Sequence, residues 1–141
     1  MNPQRISMVT LSVENLDIAR KFYADLGFEE AEGGNEKIAF YKLAGQYFSL
    51  YSKGALEGDL DIKIPRPATG SVSLAINFDT REAVDAAFAK ALKAGATVIS
   101  TPEEVFWGGY SGTFADPDGH LWEVAQNPFW TLDENGQIIF E

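Results

Sequence analysis

The chain says the same thing twice, and that repetition constrains its fold more than any other feature. Residues 6–27 read ISMVTLSVENLDIARKFYADLG and residues 69–95 read TGSVSLAINFDTREAVDAAFAKALKAG. Each stretch opens on an alternating strand and runs into an amphipathic helix that stops at glycine. Met8-Val9-Thr10-Leu11-Ser12-Val13 aligns with Ser71-Val72-Ser73-Leu74-Ala75-Ile76. In both, large aliphatic residues take one face and smaller, mostly polar residues the other, the period of a half-buried strand.

The first helix is expected to start near Asn15, a good N-cap, with Ile18, Phe22 and Leu26 at four-residue spacing and Gly27 just past its end. The second is expected to start near Asp79, with Glu82 placed as in a capping box, and to end at Gly95. More strands follow each helix. In the first half they are FEEAEG, EKIAFYKLAG and QYFSLYS; in the second, ATVIS, GTFAD and HLWEVAQ. The last two are joined by Asp116-Pro117-Asp118-Gly119, which suits a type I turn. The expected fold is therefore α+β: two βαβββ modules, one over residues 5–56 and the other over 70–128. A Pro- and Gly-containing linker spans 57–69 and a tail spans 129–141.

At 141 residues the chain can bury a real core, and 45% hydrophobic against 23% charged residues is a globular balance. The absence of cysteine removes disulfides, thiolate ligands and thiol nucleophiles together. The formal net charge is −10, and no Lys or Arg follows Lys93. Such a field repels phosphate backbones, so no nucleic-acid partner is expected, whereas a cationic small molecule would be attracted. No basic run precedes a long apolar stretch at the N-terminus and no apolar run reaches spanning length. A cytoplasmic protein with no membrane partner is the expectation.

The pattern resembles the glyoxalase/bleomycin-resistance/extradiol-dioxygenase superfamily, the vicinal oxygen chelate fold. The residues that carry the resemblance are FYADLGF (22–28), AGATV (94–98) and FADPDGHLWEV (114–124). The resemblance implies that the two modules curl into a half-open cup-shaped sheet with helices outside, and that the chain forms a homodimer. It also implies four metal-ligand positions, one on the first and one on the last strand of each module. Here these fall on Met8, Ser49, Ser71 and Glu123. Only Glu123 is a strong donor for a hard or borderline divalent ion, and a catalytic site needs about three protein ligands, so no metal and no cofactor are expected. His120, the one histidine, does not make up the shortfall, because it lies three residues from Glu123 on a strand and so points to the opposite face.

Alternation then supplies the residues of the cup. Thr10, Tyr47, Ser49, Tyr51, Ser71, Ser73, Asn77 and Glu123 are the expected ligand-binding residues. Trp107 and Tyr110 of FWGGYSG are added as a rim, with Gly108 and Gly109 giving that loop freedom. This is a surface for an organic, cationic or aromatic ligand rather than for a metal. The expected function is metal-free small-molecule binding. The alternative is a glyoxalase-like lyase or isomerase with Glu123 as general base or sole strong metal ligand. GGYSG is not a phosphate loop, since it lacks the GK[ST] ending and leads into a strand.

Overall fold

A computed structural model describes residues 2–65 and 69–140. The chain divides into two compact units, Met1–Pro67 and Ala68–Glu141. The boundary falls inside the expected linker, whose residues 66–68 lie outside the described ones.

The first unit contains β1 (Met8–Val13), α1 (Leu16–Leu26), β2 (Glu30–Ala31), β3 (Ile38–Leu43), β4 (Gln46–Ser52) and α2 (Lys53–Leu60). Its sheet has the order β1-β4-β3-β2, with β1 parallel to β4 and the other pairs antiparallel. Helix α1 begins as the sequence requires. Asn15 is extended and its Oδ1 accepts the Ile18 N–H at 3.0 Å, while Gly27, at φ 109°, ends the helix in the left-handed region. The buried face of α1 lies on β3 and β4. There Tyr23 stands 5.4 Å from Phe48, and Tyr41 stands 5.7 Å from Phe48, ring centre to ring centre. Each such ring, fully removed from water, contributes roughly 1.5–3 kcal/mol. Arg20 closes the β2–β3 side: its guanidinium donates to both carboxylate oxygens of Glu30 and to the carbonyls of Asn35 and Ile38.

The second unit contains β5 (Ser73–Asn77), α3 (Arg81–Lys93), β6 (Thr97–Glu104), β7 (Tyr110–Ala115) and β8 (Leu121–Gln126). Its sheet has the order β5-β8-β7-β6, again with one parallel pair, β5–β8. Val84 and Phe88 of α3 are buried with Phe114, Trp122 and Val124 of the sheet. The 116–119 turn forms, with the Gly119 N–H on the Asp116 carbonyl at 3.0 Å. The Asp116 carboxylate accepts the N–H groups of Asp118 and His120, both at 2.9 Å. His120 is a half-buried residue at the end of this turn.

The structure adds one element and moves another. Helix α2 was not expected, and the linker assigned to 57–69 begins inside it. Two glycines and the absence of any buried residue in α2 hid it from a reading based on apolar periodicity. The N-cap of α3 is Thr80, not Asp79, its Oγ1 accepting the Ala83 N–H at 3.1 Å.

Candidate functional site

Each sheet has one face packed by its long helix, α1 or α3, and an opposite face that those two helices leave free. In the first unit the free face is a grid fixed by the register: Met8 beside Tyr47, Thr10 beside Ser49, and Ser12 beside Tyr51. Phe40 lies next to Ser49 from the other side. The expected residues Thr10, Tyr47, Ser49 and Tyr51 therefore do share a face. Their polar atoms are already engaged, however. The Thr10 and Ser49 hydroxyls are 2.7 Å apart, and the Ser49 hydroxyl also approaches Met8 Sδ at 3.6 Å. Ser49 is fully buried. The Tyr51 hydroxyl donates to the Asp59 carboxylate of α2, and that bond is the main reason its pKa is raised.

The second unit gives a different face. Ser73, Ala75 and Asn77 of β5 pair with Leu121, Glu123 and Ala125 of β8. These in turn pair with Ala115, Thr113 and Ser111 of β7. Glu123 is the carboxylate of these nine. It is half-buried between Ala75 and Thr113 and makes no ion pair or hydrogen bond among the described residues. Where the first unit closes its matching position with Thr10 and Met8, the second leaves a carboxylate with no partner among the described residues.

Three expectations about this unit change. The N-caps Asn15 and Thr80 lie 65 residues apart, and so do Thr10 and Ala75, the partners of Ser49 and Glu123. The repeat therefore matches Met8 with Ser73, and Ser71 stands in the bend ahead of β5. A slip of two residues keeps every side chain on its face, so alternation alone could not detect it. Tyr110 leaves the site altogether. It takes the strand phase of Gly112 and buried Phe114, its hydroxyl donates to Asp85 of α3 at 2.6 Å, and the Arg81 guanidinium sits 5.1 Å from its ring centre. The hydrogen bond to Asp85, ahead of burial, raises its pKa. Gly109 does not serve loop freedom: a Cβ there would stand 2.0 Å from the outer ring carbon Cη2 of Trp107, so the indole rests directly on it.

The four family metal positions thus read Met8, Ser49, Ser73 and Glu123. Position by position, two neutral hydroxyls, one of them already hydrogen-bonded and buried, and a thioether are poor donors for a divalent ion, which leaves one carboxylate as a strong donor. Among the described residues, no three His, Cys, Asp or Glu side chains gather into a group that could hold one. Among those residues, too, no helix is long and apolar enough to cross a membrane.

Comparison with known proteins agrees with the fold. A family model described as the Glyoxalase/Bleomycin resistance protein/Dioxygenase superfamily matches residues 5–124. Metallothiol transferase FosB of Shouchella clausii is 32% identical over 120 residues, covering 84% of this chain and 77% of that one. The crystal structure of a glyoxalase-related enzyme from Fulvimarina pelagi superposes with a TM-score of 0.89 at 28% identity, over 97% of this chain and 98% of that one. A lactoylglutathione lyase from Agrobacterium tumefaciens shares the fold with a TM-score of 0.70 at 23% identity, over 94% of this chain and all of that one.

Proposed function

Since the chain belongs to the Glyoxalase/Bleomycin resistance protein/Dioxygenase superfamily, yet keeps one strong donor at the four metal positions, we propose that it binds a small organic ligand without a resident metal. Glu123 is the anchor. The observation that carries this reading is the contrast between the two units: the hydroxyl of Ser49 is buried and bonded, whereas the Glu123 carboxylate has no partner among the described residues. A half-buried carboxylate without a partner favours a ligand that brings a donor or a positive charge. The acidic second half of the chain strengthens that preference.

The test has two arms. Elemental analysis after mild purification should find no stoichiometric zinc, nickel, manganese or iron; about one metal per chain, lost in Glu123→Gln, would overturn the metal-free reading. A thermal-shift screen of organic amines, alcohols and carboxylates should return protonated amines. Glu123→Gln should weaken them at least about tenfold, about 1.4 kcal/mol, while leaving the melt of the free protein nearly unchanged. Affinity that is indifferent to the substitution would remove Glu123 from the site.

The names of two structural relatives, a glyoxalase-related enzyme and a lactoylglutathione lyase, favour a second reading, in which Glu123 is a general base of a lyase or isomerase. It would take a proton from a carbon next to a carbonyl and return it elsewhere on the same molecule. A bound carbonyl compound would then exchange that C–H for deuterium in D2O, and Glu123→Gln would stop the exchange. Binding without exchange leaves sequestration as the function.

A further inference from the structure

We propose that Met8 is a redox-modification site: a hydroperoxide converts its thioether to the sulfoxide, and the Ser49 hydroxyl decides which of the two sulfoxide epimers forms. The proposal is independent of the reading of Glu123, which belongs to the other unit.

Three side chains on the free face of the first sheet build the site. Met8 opens β1 and stands two residues from Thr10, on the same side of the strand. Ser49 of β4 lies beside Thr10, one strand across. The Ser49 hydroxyl has one proton, and it donates that proton to Met8 Sδ across 3.6 Å. The 2.7 Å contact between the two hydroxyls is then Thr10 donating to Ser49. Ser49 is fully buried and held by Thr10, so its Oγ is fixed beneath the sulfur. Met8 differs in both respects. It keeps 41% of its surface exposed, and its sulfur meets no other polar partner among the described residues.

A thioether is a weak acceptor, but the bond from Ser49 still occupies one of the two lone pairs of the sulfur. An oxygen added on that side would stand closer to Oγ than the roughly 2.5 Å of the shortest O–H···O bonds. The other lone pair is the one a hydroperoxide can use. It attacks the terminal oxygen of the hydroperoxide, the S–O bond forms as the O–O bond breaks, and the proton of the attacked oxygen passes to the departing one. With hydrogen peroxide the second product is water. Sulfur gives up two electrons and the peroxide takes them. The product is chiral at sulfur, so attack from one side gives one epimer. Strand β1 ends its sheet, and the exposed Met8 side chain lets the new oxygen meet water. The fold is therefore kept, whereas a sulfoxide in a core disrupts packing.

The experiment treats the intact chain with hydrogen peroxide, folded in buffer and unfolded in urea. Peptide mass mapping separates Met8 from Met1, the other methionine. The Met8 peptide is then reduced with methionine sulfoxide reductase A or B, each of which accepts one epimer. From the folded chain, one reductase should restore at least about ten times as much methionine as the other, an activation difference of about 1.4 kcal/mol. From the unfolded chain the two should restore nearly equal amounts. The oxidised folded chain should melt with the untreated one, and Ser49→Ala should bring the epimers toward equality. Equal epimers from the folded wild type overturn the proposal. So does a folded Met8 that stays reduced under conditions that fully oxidise the unfolded chain, or a melt that oxidation lowers. An excess of one epimer that survives in a Ser49→Ala chain, folded by circular dichroism, overturns the role of Ser49. The comparison of folded with unfolded wild type decides the proposal even where that variant does not fold.

Discussion

Gly112→Ala tests whether the bulged edge of the second sheet is built as described. Gly112 is buried on the α3 side of β7, between Tyr110 and Phe114. Opposite it the β6–β7 pairing slips between Ser100 and Glu103, and the Pro102 ring fills the room a side chain would use. An added Cβ would stand 2.8 Å from Cδ, Cγ and the backbone N of Pro102. A relaxed contact needs about 0.6 Å more, and one of the three atoms is backbone, so β6 itself must move. Overpacking of this kind costs about 1–3 kcal/mol, and the lower chain entropy of unfolded alanine offsets about 0.4–1 kcal/mol of it. The net expectation is a loss of about 1–2 kcal/mol, a fall in Tm of roughly 3–8 °C for a chain of this size. Gly58→Ala in α2 is the control. It makes the same chemical change, its Cβ meets nothing within 4 Å, and it should stabilise by up to about 1 kcal/mol. Urea melts of both variants, and of Gly112→Ala in a Pro102→Ala background, measure the terms. Removing the ring removes two of the three close atoms, so the cost should shrink there. A Gly112→Ala protein as stable as the wild type, or a cost unchanged without the Pro102 ring, would refute the packing argument.

Two further predictions concern the whole chain. Burial, with a smaller push from Glu30 against an opposing pull from Arg20, raises the Tyr41 pKa to about 12. The folded state then holds a proton that the unfolded state loses near 10, so this contribution is intact below about pH 10. It should decline by about 1.4 kcal/mol per pH unit as the pH rises toward 12. Urea melts across that window should show a steeper decline for the wild type than for Tyr41→Phe, and parallel declines would refute it. The chain is also expected to be a homodimer: β1 and β5 each end their sheets with one edge unpaired within the unit, and such edges are usually covered. Light scattering that returns the mass of one 15.5 kDa chain at micromolar concentration would refute this.

Much of the fold was legible because local signals agreed. Asn15 and Gly27 bracket α1, Gly95 follows α3, and Asp116 to Gly119 make the last turn, each through a hydrogen bond or a φ value that the residue type favours. Helix α2 was illegible because tertiary bonds rather than propensity hold it. Lys53 pairs with Glu14 at 3.2 Å, Asp59 with Tyr51, and Glu57 accepts the Ile64 N–H at 2.8 Å. None of those partners can be read from an eight-residue stretch containing two glycines.

The candidate site was legible as a face and not as contacts. Alternation sorts residues into two sides, and it placed Thr10 with Ser49 in the first unit and Ser73 and Asn77 with Glu123 in the second on that basis alone. It carries no information on which members of a face are already spent on one another. The Thr10–Ser49–Met8 contacts, and a Glu123 carboxylate with no partner among the described residues, are therefore what the structure adds. Tyr110 was misplaced for a related reason. FWGGYSG contains three aromatic residues around a glycine pair, and the strand phase depends on where β7 starts. Beginning the strand at Tyr110 turns that side chain to α3 and turns the glycine before it to the free face, under Trp107. That phase takes Tyr110 off the free face and leaves Trp107, of the two rim aromatics expected, resting on the glycine. The difference matters chemically: the tyrosine hydroxyl is committed to Asp85, whereas the indole keeps part of its ring exposed.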